Sequence, residues 1–113
     1  MKVLDASVTR YADMFAALGA EPRLRIVRLL LATHPDGMVV NEIQTETGIA
    51  ASTLSHHLEK LKNDELVTAE REKAFIRYRA NTEALQELLG FLYAECCTRN
   101  KAVPPKTITS ICR

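Results

Sequence analysis

The chain has 113 residues, of which 47% are hydrophobic, enough for one small core and no second large domain. Its formal net charge of +1 excludes binding to a polyanion by bulk electrostatics, so any such affinity must come from local arrangement. No apolar run approaches the roughly 18–20 residues of a membrane span, because Arg28 interrupts the richest segment, Ile26 to Ala32, and no cleavable signal precedes Ser7.

In chain order, Val8, Tyr11, Phe15 and Leu18 recur at helical spacing and Gly19 closes the segment, which predicts a first helix from about Ser7 to Leu18. Pro22 suits a first helical turn, and Leu24, Ile26, Val27, Leu29, Leu30 and Leu31 cover so much of the second helix that it is expected to be central. That helix should end near His34-Pro35-Asp36-Gly37, with His34 a capping or surface residue. Val40 and Ile43 give a third helix its apolar edge, and Gly48 supplies the freedom in φ that a sharp turn needs. Leu54, Leu58 and Leu61 then make a stripe on a fourth helix. Leu66–Arg71 and Phe75–Ala80 read as strands around a turn at Glu72-Lys73-Ala74. Asn81 or Thr82 can cap a fifth helix with the stripe Leu85, Leu88, Leu89, Leu92 and Cys96.

This order is that of a mainly α, winged helix-turn-helix domain: five helices with a two-stranded β-hairpin wing. Opposite the leucine stripe, the fourth helix carries Ser52, Thr53, Ser55, His56, His57 and Lys60, small polar groups near a helix start, where a recognition helix presents side chains to the major groove. Lys73 and Arg77 on the hairpin are expected to reach phosphate or minor groove. Residues 51–80 hold six Lys or Arg against five Asp or Glu, so these acids must point away from DNA. The first and last helices carry more apolar surface than one small domain covers, which predicts dimerisation through them. Residues 1–97 are expected to form the DNA-binding and dimerisation domain. From residue 98 periodicity is lost and Pro104-Pro105 forbids helix, which predicts a mobile tail over 98–113.

The expected location is cytoplasmic, where three cysteines are free thiols. Cys96 and Cys97 are adjacent, and fourteen residues separate them from Cys112, a span of up to about 50 Å when extended, so the tail thiol can return to the pair within or across subunits. Soft thiolates favour a thiophilic ion, and three sulfurs suit the trigonal site of trivalent arsenic or antimony, whereas zinc normally takes four ligands.

Residues 15–97 resemble the ArsR-type (ArsR/SmtB) metalloregulatory repressors. The likeness lies in the Ala20-Glu-Pro-Arg-Leu-Arg-Ile26 opening of the second helix, the Ser52-Thr-Leu-Ser-His-His-Leu-Glu-Lys-Leu61 helix and the Leu66-Val-Thr…Arg77-Tyr-Arg79 wing. It implies a homodimeric, non-enzymatic repressor that leaves its operator when a metal or metalloid binds. The family's thiolate motif on the first helix of the helix-turn-helix is absent, since residues 38–48 contain no Cys. What remains is similar to the arsenic-responsive branch with a Cys-Cys pair at the end of the last helix, which implies Cys96, Cys97 and Cys112 as inducer ligands. Three positions depart from the pattern: Ala50 where Ser or Thr often caps the recognition helix, Glu65 where Gly precedes the wing, and Lys73 where Gly is common in its turn. A thiol-redox or persulfide sensor of the same fold is the alternative, with Cys112 as resolving partner. A cysteine enzyme such as an arsenate reductase would need a phosphate-like cradle, and no Cys-x5-Arg loop or Gly-rich turn provides one.

Overall fold

A computed structural model describes residues 6–95. They form α1 (Ala6–Leu18), α2 (Glu21–Ala32), β1 (Met38–Val39), α3 (Val40–Thr47), α4 (Ala51–Asn63), β2 (Val67–Glu72), β3 (Phe75–Ala80) and α5 (Thr82–Tyr93). The chain divides into two compact units, residues 1–81 and 82–113. In the second unit α5 carries its leucines at helical spacing, with Leu92 56% exposed. The proposed tail and all three cysteines lie outside the described residues.

The core of the first unit is built from Met14 and Ala17 of α1, Ile26, Val27 and Leu30 of α2, Ile43 of α3, and Leu54, Leu58 and Leu61 of α4, with Leu66 and Val67 closing it at the wing. Each of these chains other than Ala17 contributes about 1.5–3 kcal/mol on burial. On α1 the inward face is Met14 and Ala17, while of the predicted stripe Val8 and Phe15 are 50% and 37% exposed and Tyr11 and Leu18 are half-buried, so the stripe runs along the outer side and flank of the helix.

The wing is a three-stranded antiparallel sheet in the order β1-β3-β2, one strand more than expected. Met38 lies opposite Tyr78 and Val39 opposite Arg77, which ties the end of the α2–α3 connection to the hairpin. Between β2 and β3, Val67 faces Ala80 and Glu72 faces Phe75, so the turn contains only Lys73 and Ala74, and Glu72 belongs to the strand. Parity then places Val67, Ala69, Arg71, Ile76, Tyr78 and Ala80 on one face and Thr68, Glu70, Glu72, Phe75, Arg77 and Arg79 on the other.

Candidate nucleic-acid interface

The helix-turn-helix is set by two backbone devices. Gly48 ends α3 in the left-handed region at φ 73°, its N–H bonded to the Gln44 carbonyl at 2.8 Å. The chain then extends through Ala50, which starts α4 without a side-chain cap. The first-turn N–H groups of α4 therefore lack a side-chain acceptor from that position, at the end of the helix where an anion is favoured. Ser52, Thr53, Ser55 and His56 project from this end as one exposed polar face, opposite the buried leucines.

At its other end α4 closes in a Schellman arrangement: Leu66 N–H bonds to the Leu61 carbonyl at 2.9 Å and Glu65 N–H to that of Lys62 at 3.0 Å. Glu65 accordingly has φ 65°, which explains why glycine suits this position. Here the glutamate is held from both sides, its carboxylate by Arg10 at 2.7 Å and its carbonyl by the Asn81 amide at 2.9 Å. Lys73, the first of the two residues in the wing turn, also has positive φ, 55°, the sign that a two-residue hairpin turn needs at that position.

Each acid of the segment lies beside a cation of the same protein. Of the five between residues 51 and 80, Glu59 lies 4.0 Å from Lys62, Asp64 3.2 Å from Lys60, and Glu65 beside Arg10. Across the hairpin Glu70 takes Arg79, and Glu72 takes Arg77 at 3.0 Å. Among the described residues, this leaves Arg71 and Lys73 as the two cations of the segment in no ion pair, both exposed near the wing tip. Arg71 was not singled out from the sequence. Ladder register is the signal that finds it, because it sets Glu70 directly opposite Arg77 while Arg71 faces the neutral Ile76.

Two residues expected to meet DNA are engaged inside the protein. The Arg77 Nε–H is shared between both Glu72 carboxylate oxygens at 3.0 Å while Nη1 reaches the Asp36 and Gly37 carbonyls at 3.4 and 3.5 Å, and the Glu72 hydrogen bond raises its pKa further. His57 turns half-buried toward α2, where Arg23 Nη1 stands 3.4 Å from its Nδ1. Lys60 keeps an exposed ammonium beside Asp64. The Tyr78 phenol is held above its ordinary pKa by burial and then by the Glu59 carboxylate of α4, so it stays neutral. Among the described residues no cluster of His, Cys, Asp and Glu is arranged to hold a metal ion.

The pattern of bacterial regulatory proteins of the arsR family matches residues 21–69, from the start of α2 into β2. The transcriptional repressor SdpR of Bacillus subtilis (strain 168) is 30% identical over 80 residues, 71% of this chain and 86% of SdpR. The chain belongs to the arsR family. Like its relatives, this ArsR-family chain is a transcriptional regulator with a DNA-binding fold. The homodimeric winged helix-turn-helix DNA-binding domain of a possible ArsR-family regulator from Mycobacterium bovis is 28% identical, with a TM-score of 0.65 over 92% of this chain and 100% of that one. A possible transcriptional regulator for arsenical resistance is 26% identical, with a TM-score of 0.64 over 73% of this chain and 82% of its own. No helix among the described residues is long and apolar enough to cross a membrane.

Proposed function

We propose that this ArsR-family chain is a homodimeric repressor whose paired α4 helices enter successive major grooves of an operator, about 34–36 Å apart. The observation that carries the reading is the pairing pattern: every acid of residues 51–80 is matched, leaving an exposed Ser/Thr/His face on α4 and two unmatched cations on the wing. Thr53, Ser55 and His56 then address base edges, with Ser52 and Lys60 beside them, and Lys73 with Arg71 contacts the backbone. The homodimeric Mycobacterium bovis domain supports the dimer, and the exposed Val8 and Phe15 of α1 and Leu92 of α5 are the apolar surface it would cover.

The division of roles makes a specific expectation. Lys73→Ala and Arg71→Ala should each lower affinity across sequences and flatten the dependence of log K on log salt by about one unit per lost contact. Thr53→Ala should instead relax sequence preference at an unchanged slope. A Lys73→Ala protein with altered preference and the wild-type slope would contradict this assignment.

The inducer in this reading is trivalent arsenic or antimony held by Cys96, Cys97 and Cys112. Three soft thiolates, the absence of Cys from 38–48, and the structural likeness to a possible regulator for arsenical resistance support it. A coupling of roughly 1–3 kcal/mol per site would suffice to weaken the operator complex. Titrating the operator-bound chain with trivalent arsenic, antimony, zinc, cadmium and a mild oxidant tests the proposal. Release by the two metalloids at low equivalents is expected, and release by oxidant alone would replace it with the thiol-redox reading.

A further inference from the structure

We infer that Arg23 is a positioning residue that ties the recognition helix α4 to the end of α1 through a neutral His57, and that neither residue is a DNA contact. The inference rests on α4 being the DNA-reading element. Arg23 sits in the first turn of α2. Its Nε donates to the Ala17 carbonyl at 2.7 Å, one of the last-turn carbonyls of α1, a class that a helix leaves without intrahelical donors. From the same planar group Nη1 points at Nδ1 of His57, 3.4 Å away on α4. One guanidinium thus bridges two helices from a third.

The chemistry of the bridge constrains the imidazole. A guanidinium only donates, so Nδ1 must accept, and the ring is neutral with its proton on Nε2. The surroundings favour that state: burial, then the Arg23 charge, then His56 on the same helix, lower the His57 pKa. Lysine does not reproduce this bridge, because its donors are rotatable and sit on one nitrogen, whereas Arg23 holds two separate nitrogens, Nε and Nη1, in a fixed plane toward the two acceptors. Since α1 presents its outer face, Val8 and Phe15, to the proposed dimer partner, a displacement of that helix has a direct path to the reading head. His57 stands three residues after Leu54 and four before Leu61, on the flank of the buried stripe and not on the Ser52–His56 face.

The test uses the full chain and a duplex enriched from a random-sequence library by the wild-type protein at pH 8. Arg23→Gln and Arg23→Lys should each weaken binding roughly tenfold, with the salt slope unchanged and thermal unfolding close to wild type. In nitrogen NMR, wild-type His57 should carry its proton on Nε2 and titrate below ordinary histidine, and Arg23→Gln should move that titration up. Wild-type affinity in Arg23→Lys would overturn the inference by reducing Arg23 to a charge. A slope flattened by about one unit in Arg23→Gln would overturn it by making Arg23 a phosphate contact. Should either variant fail to fold, the wild-type spectrum decides, and a proton on Nδ1 excludes the bridge. Failure of the wild type to enrich any duplex is a separate outcome that removes the DNA-binding reading itself.

Discussion

Gly37→Ala is expected to lower unfolding free energy by about 2–4 kcal/mol, a large loss for a domain of this size. Gly37 has φ 72°, where any β-carbon is strained, and here the β-carbon would also run into the Tyr78 carbonyl and the Arg79 side chain. Those atoms cannot yield cheaply. Tyr78 is laddered to Met38, Arg79 Nε donates to the Pro35 carbonyl at 3.0 Å, and Arg77 reaches the Asp36 and Gly37 carbonyls. Gly48→Ala provides the control, since φ is nearly the same, 73°, but a β-carbon there meets only open space. It should cost only the backbone strain, about 1–2 kcal/mol. Urea unfolding of both variants measures the difference, and equal losses would mean that β3 does not press on the 35–37 segment.

Leu92→Glu should abolish dimerisation and operator binding together while leaving the 1–81 unit folded. Leu92 is 56% exposed at the end of the α5 stripe, a position where a leucine gains little unless a second chain covers it. Two glutamates brought together at a two-fold interface would add desolvation and like-charge repulsion to the lost apolar area. Sedimentation at micromolar concentration, with binding to a two-half-site duplex, reads both effects. A Leu92→Glu protein that remains dimeric would place the interface elsewhere.

Helix order, the turn at Gly48, the leucine stripe of α4 and the hairpin were legible in the sequence because each rests on local periodicity or a single permissive residue. Strand β1 was not, since Met38 and Val39 are too few to show a period and their pairing with β3 is long-range. The inward face of α1, Met14 and Ala17, did not stand out for a related reason. Val8, Phe15 and Leu18 are larger than Ala17, yet close approach to α2 favours the small residue, and Ala17 is wholly buried. Glu65 and Lys73 stood out against the family pattern as non-glycines, and both have positive φ. For DNA contact, Arg77 seemed as suitable as Lys73 on charge alone. Only the register, which sets Arg77 against Glu70 and diagonal to Glu72, separates a satisfied cation from a free one. His57 was grouped with His56 by adjacency, although one residue along a helix is a large turn of the face, enough to carry its ring to Arg23.

The most direct measurement of the sensing claim is operator release by trivalent arsenic in wild type, Cys96→Ser, Cys97→Ser and Cys112→Ser, followed by anisotropy of a labelled duplex. All four proteins should bind the duplex alike without arsenic, because all three cysteines fall outside residues 41–80, the sequence of the helix-turn-helix and wing. Wild type should release at low equivalents, and each variant should stay bound there, since two thiolates hold a three-coordinate metalloid more weakly than three. Release of Cys112→Ser at the wild-type arsenic concentration would contradict a three-thiolate sensor.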